Sequence, residues 1–106
     1  MSVYVDGAVN GFGRMKMCHM LADTPQELMA MADRIGVQRK WFQNMASSPH
    51  FDIAQSKRAL AVAAGAVELK SNKELADLCK RVRQTWPMVP GQGWLCSALS
   101  DATDHA

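Results

Sequence analysis

The sequence predicts an α+β domain, a small three-stranded sheet covered by helices in the order β-β-α-α-β-α, followed by a C-terminal tail. Helix-start signatures recur at Thr24-Pro25-Gln26-Glu27, at Asp52 with Gln55, and at Ser71 with Glu74. Each sets a capping side chain three residues ahead of one that can reach back to it. An apolar or small-sided helical face follows each signature, and short segments elsewhere alternate with the two-residue period of a strand.

Ser2 to Asp6 places Val3 and Val5 on one face and Tyr4 on the other, a strand that ends on a carboxylate. Gly7, Gly11 and Gly13 then make residues 7–13 a loop that turns sharply or lets a ligand approach the backbone. Residues 15–21 alternate again, giving a second, mostly buried strand. Thr24 caps a helix over 25–35, Pro25 suits its first position, and Leu28, Met31, Ala32 and Ile35 form its stripe. Gly36 stands where a left-handed residue ends a helix. Residues 37–42 suggest one extra turn docking Trp41 or Phe42, and residues 44–49 a surface loop.

With Asp52 as cap, a second helix is expected over 53–64, its small-sided interior allowing close approach of another element. Residues 66–70 read as the third strand. The third helix, 72–86, keeps Leu75, Leu78, Cys79, Val82 and Trp86 on one face, and Pro87 ends it. The domain is therefore expected over 1–86. Residues 87–106 form a partly ordered tail, in which Trp94, Leu95 and Leu99 argue for some docking.

The chain has 106 residues, the size of one domain, and 48% apolar with 21% charged residues is the mix of a folded protein rather than a disordered one. No run reaches the roughly 20 apolar residues of a membrane span. The amino terminus lacks the basic and apolar regions of a secretion signal, so a cytoplasmic, reducing location is expected. Cys18, Cys79 and Cys96 form no Cys-x-x-Cys pair, which indicates free thiols rather than a zinc knuckle or a disulfide framework. Met15, Met17, Met20 and Met29 suit an irregular core. The net charge is +2, yet two of the ten acids, Asp101 and Asp104, lie in the tail, so residues 1–100 carry twelve basic against eight acidic groups.

That excess points to an anionic ligand. Ser56, Lys57 and Arg58 fall in the first turns of the second helix, where free N–H groups and the dipole attract phosphate. The alternative is a solvated basic face, or pairing with Asp33 or Glu68. Asp6, His19, His50 and Asp52 are the one combination suited to a metal or to acid–base chemistry, since His50-x-Asp52 on an extended segment puts both side chains on one face. Taken singly, Asp52 reads first as a helix cap, and His19 first as a satisfied core histidine. Trp41 beside Arg39 and Lys40 suits base stacking, although it reads first as a core anchor. Gly11-Phe12-Gly13-Arg14 is either a tight turn or a ligand loop. The chain has no P-loop, Gly-x-Ser-x-Gly elbow or His-Glu-x-x-His pair. Cys18 and His19 point to opposite faces of a strand, which argues against a cysteine nucleophile.

The opening Val3-Tyr4-Val5-Asp6, Gly13-Arg14-Met15, His19, Ala22-Asp23-Thr24, Glu27-Leu28, Ile35-Gly36, Trp41-Phe42, His50-Phe51-Asp52, Ser56-Lys57-Arg58-Ala59 and Gly65-Ala66-Val67 together resemble domain of unknown function family 4031 over residues 1–69. The resemblance implies a short protein of bacterial or phage origin and carries no activity. The family pattern has a second acid after the first and His-Tyr-Asp later, where this chain has Gly7 and Phe51. If two adjacent acids served a metal, Gly7 has removed one.

The reading that joins these features is a small phage or prophage protein that binds a phosphate-bearing ligand, a nucleotide signal or a nucleic-acid backbone, with a counter-defence role inferred from size and resemblance. Arg14, Ser56, Lys57 and Arg58 would hold phosphate, Asp6 or Asp52 (with His50 nearby) a ribose hydroxyl, and Trp41 a base. No cofactor is required, though a divalent metal fits Asp6, His19, His50 and Asp52. Two rivals stand beside it. One is a metal-assisted phosphoesterase or nuclease using those four residues. The other is a protein–protein inhibitor module, a monomer or a homodimer formed through an exposed Trp94 and Leu95; the counter-defence role itself would be to sequester a host signal or to block a host nucleoprotein.

Overall fold

A computed structural model describes residues 2–7, 10–12 and 15–95. Helix α1 (Pro25–Ile35) has the predicted bounds. The Thr24 hydroxyl accepts from the Glu27 N–H at 3.3 Å and donates to the Glu27 carboxylate at 2.8 Å. Gly36, at φ 80°, takes the left-handed conformation that ends the helix without a Cβ clash. Leu28, Met29, Met31, Ala32 and Ile35 are buried.

The sheet is larger than predicted. Among the described residues it contains β1 (Val3–Val5), β2 (Asn10–Phe12), β3 (Met15–Ala22), β4 (Phe51–Ala54) and β5 (Val67–Glu68), five strands where the sequence suggested three. β3 is antiparallel to β1, β2 and β4, while β1 and β5 are parallel. Met17 pairs with both β2 and β4, and Met20 with both β1 and β4. A strand has two edges, so β4 takes one edge of β3, and β1 and β2 divide the other.

Two of the five strands correct the predicted order. β2 lies inside the segment read as a glycine loop. β4 overturns the reading of Asp52 as a helix cap, because Phe51 and Ile53 alternate inward against Met20 and Cys18. Burying those two side chains outweighs a local cap, so α2 starts later, at Gln55–Ala63 rather than 53–64. Its N-cap is Ala54, with no side-chain hydrogen bond. β5 is also shorter than the predicted strand over 66–70, and both of its side chains are exposed.

Helix α3 (Asn72–Thr85) begins at the predicted Ser71 cap, whose hydroxyl accepts from the Glu74 N–H at 3.1 Å. Leu78 and Val82 are buried, as is Trp86 just beyond, whose Nε1–H donates to the Ala22 carbonyl at 3.1 Å. Phe42, after the 3-10 turn Arg39–Trp41, stacks on Trp86 at 5.9 Å between centroids. Of the two aromatic candidates for docking, Phe42 packs inward and Trp41 stays 59% exposed, so Trp41 is not a core anchor.

Residues 88–94 form a hairpin, β6 (Met88–Val89) with β7 (Gly93–Trp94). Trp94, expected as an exposed contact, is buried; its backbone N–H donates to the Asn44 carbonyl and its indole N–H to the Ala46 carbonyl, each at 2.8 Å. Gly93, at φ 81°, makes this seat possible, since a Cβ there would lie 2.1 Å from the Asn44 carbonyl oxygen. Arg14 and Cys96 lie outside the described residues.

α3 depends on Leu78, which is 3% exposed. Leu78→Ala is expected to cost about 2–5 kcal/mol in urea denaturation; a change within about 0.5 kcal/mol, the size of an ordinary surface substitution, would contradict this packing.

Candidate metal centre

Strand alternation divides the sheet between two kinds of chemistry. Cys18 and Met20 of β3, with Ile53 and Phe51 opposite them, point into the core. The intervening residues, His19 and Asp52, face each other in register on the other side. His50 is two residues before Asp52 and joins it on that face. The sequence reading of His19 as a core histidine is thereby corrected: its side chain is 29% exposed and belongs to a polar cluster.

The cluster is built around one carboxylate oxygen. Asp52 Oδ1 lies 3.3 Å from His50 Nε2 and 3.8 Å from His19 Nε2. The two rings meet edge to face with centroids 5.2 Å apart. One donor atom from each of His19, His50 and Asp52 lies within 4.8 Å of the others.

The far nitrogens of both rings are already engaged. His50 Nδ1 is 2.9 Å from the Ser48 carbonyl, a group that only accepts, so Nδ1 carries the proton. His19 Nδ1 is 2.6 Å from Asp6 Oδ2. Both Nε2 atoms of neutral rings therefore turn lone pairs toward the Asp52 carboxylate. Three electron-rich atoms at these distances repel one another unless a proton or a cation lies among them. Donors around a tetrahedral metal with bonds of about 2.0–2.1 Å stand about 3.4 Å apart, close to the 3.3 Å and 3.8 Å edges seen here.

Asp6 does not join the three. It is 3% exposed and sits behind His19, so of the four residues expected to meet at one spot it is the one the structure sets apart. At the end of β1 its N–H still donates to the His19 carbonyl at 3.1 Å, continuing the ladder. The return bond is different: the His19 N–H donates to Asp6 Oδ1 at 2.8 Å instead of to the backbone carbonyl. The Asp6 carbonyl is then taken by Arg58 Nε at 2.9 Å.

Two of the basic residues predicted to bind phosphate, Lys57 and Arg58, have structural partners. Arg58 also pairs with Glu68 at 3.2 Å, one of the two pairings the sequence offered. Lys57 Nζ donates to the Ile35 carbonyl at 2.9 Å, a cation at the negative end of α1. Ser56 is exposed at the start of α2. Trp41 is not brought to the cluster; Lys40 lies over its ring at 5.1 Å. Two contributors escaped the sequence reading: Ser48, whose carbonyl orients His50, and Arg83, which donates to the Ser48 hydroxyl at 3.2 Å. Ser48 acts through its backbone, and Arg83 approaches from 35 residues away, so neither left a local pattern.

Burial, with the Asp6 charge adding to it, pushes the Cys18 thiol up to about 11, so on the core face it remains a protonated packing group. Beside Asp6, Gly7, Leu69, Lys70, Ser71, Asn72 and Leu75 line a crevice of about 310 Å³ at the start of α3.

The fold and cluster define a small α+β protein carrying a His-His-Asp cluster on one face of its sheet. Residues 3–82 match the family described as "Protein of unknown function (DUF4031)", and the chain belongs to that family. The match contains Asp6, His19, His50 and Asp52 and continues into α3, past the residues on which the resemblance rested. Neither the curated proteins nor the solved structures contain a match to the chain.

The Asp6 hydrogen bond raises the His19 pKa above its ordinary value, outweighing the opposing effect of burial. The raised folded-state value means that the pair's contribution to stability is complete below about pH 6.5, the unfolded value. It declines as pH rises through the folded value. An NMR titration of metal-free protein is expected to place the His19 midpoint above 6.5, with urea stability falling over that interval; a midpoint at or below 6.5 would contradict the Asp6 contact.

Proposed function

We propose that this protein binds a divalent transition-metal cation through His19 Nε2, His50 Nε2 and the Asp52 carboxylate, and uses it to hold or cleave a phosphate-bearing ligand. The observation that carries the reading is the convergence of two imidazole Nε2 atoms, each with its Nδ1 tied to an acceptor, on one carboxylate oxygen. Imidazole with a single carboxylate suits zinc, iron or nickel better than calcium or magnesium, which prefer all-oxygen sets.

Three protein ligands leave a coordination position open, the arrangement of catalytic rather than structural zinc sites. A cation held there by His19, His50 and Asp52 would supply Lewis acidity and would lower the pKa of water at the site to about 7. The protein's part is to fix the ligands, and the sheet does so: His19 and Asp52 are cross-strand partners, and His50 is held by Ser48. The phosphate class rests on two supports, the basic excess of residues 1–100 and the crevice beside Asp6, where Lys70 meets the first residues of α3.

Isothermal titration of the metal-free protein with zinc, manganese and magnesium chlorides tests the reading. One zinc per chain is expected, magnesium should bind far more weakly, and His50→Ala should lose at least tenfold in zinc affinity. Zinc at 100 times its dissociation constant should stabilise the fold by about 2.7 kcal/mol. Wild-type protein that takes no transition metal, or His50→Ala that binds as well as wild type, would overturn the metal site. Metal-dependent turnover of bis(p-nitrophenyl) phosphate would assign cleavage; binding without turnover would leave ligand capture.

A further inference from the structure

We infer that Asp6 is a positioning residue of this centre, selecting the His19 tautomer that leaves Nε2 free to bind the cation. The inference rests on the metal reading above and assigns its supporting shell.

The geometry is specific on both sides of the contact. One carboxylate oxygen accepts from the His19 backbone N–H at 2.8 Å and the other meets His19 Nδ1 at 2.6 Å. Backbone and ring of the same residue are thus gripped by one rigid group. A carboxylate offers only acceptors, so Nδ1 must donate and Nε2 is left with its lone pair. Supports of this kind, a carboxylate behind a metal-bound histidine, fix the tautomer and ring orientation and make the ligand more basic.

Asp6 is itself held from behind. Its N–H donates to the His19 carbonyl at 3.1 Å, and its carbonyl accepts from Arg58, which Glu68 steadies on β5. α2 and β5 therefore brace the residue that braces the ligand. This places Arg58 in the centre's support rather than among groups free to meet a phosphate.

The isosteric change Asp6→Asn reverses the tautomer while keeping the shape. The backbone N–H of His19 can only donate, so it claims the amide oxygen. The amide NH2 is then turned to Nδ1, which must accept. The proton moves to Nε2, and the lone pair needed by the metal is gone. A purely structural Asp6 would respond differently: its loss would lower stability without altering the tautomer.

The test combines zinc titration of wild type and Asp6→Asn with 15N-detected NMR of the His19 ring, metal-free, at a pH where its own titration shows the ring neutral. Wild type should carry the proton on Nδ1, and Asp6→Asn should carry it on Nε2 and bind zinc 10–100-fold more weakly, the usual loss for such a support. Circular dichroism and a thermal melt establish that the variant is folded. Equal zinc affinity in the two folded proteins overturns the inference and leaves the metal site standing. No zinc binding by wild type overturns the metal site itself. Should Asp6→Asn not fold, the wild-type spectrum decides alone: a proton on Nε2 overturns the inference, and one on Nδ1 upholds it.

Discussion

At the end of β1 a carboxylate takes the place of a backbone carbonyl, and much of the molecule is organised by that exchange. Asp6 accepts the His19 N–H through its side chain, so its own carbonyl is released from the ladder and is satisfied by Arg58. A buried carbonyl left without a donor would cost about 1–3 kcal/mol, which gives α2 a reason to project an arginine at that point. Arg58 continues to Glu68 and ties the parallel strand β5 to the same place. The sheet edge, the second helix and the orientation of His19 thus share one origin.

The two faces of the sheet then do separate work. Phe51, Ile53, Cys18 and Met20 are at most 1% exposed and belong to a continuous core with α1. On the reverse face the same strands display His19 and Asp52 with partial exposure. The cations of α2 serve this scaffold: Lys57 closes the end of α1, and Arg58 supports Asp6. A chain with a modest basic excess has therefore committed two of its most suggestive cations to architecture. The β6–β7 hairpin is architectural too, with Trp94 seated on the carbonyls of Asn44 and Ala46, in the segment that leads to His50.

How far the sequence could be read depended on whether the deciding interaction was local. α1 and α3 were legible because Thr24–Glu27 and Ser71–Glu74 are cap pairs within one turn, each behind a clear apolar stripe. β4 was misread because Asp52 with Gln55 imitates the same pair, while the burial of Phe51 and Ile53 is decided by a strand more than 30 residues away. β2 is glycine-containing and short, and owes its pairing to β3. At the site, the residue types and the His50-x-Asp52 parity were enough to nominate three side chains that the structure brings together. The place of Asp6 behind the other three was not legible, because Asp6 meets His19 only where β1 and β3 pair, and Arg58 reaches Asp6 across 52 residues.

The central claim is that His19, His50 and Asp52 form one metal centre with Asp6 outside it. X-ray absorption spectroscopy of the protein loaded with one equivalent of zinc addresses that claim directly, because it counts the donor types around the ion. The expected spectrum has nitrogen and oxygen neighbours at about 2.0–2.2 Å, the outer-shell pattern of two imidazoles, and no sulfur at about 2.3 Å. A sulfur shell, or a set of oxygens without imidazole scattering, would contradict the account.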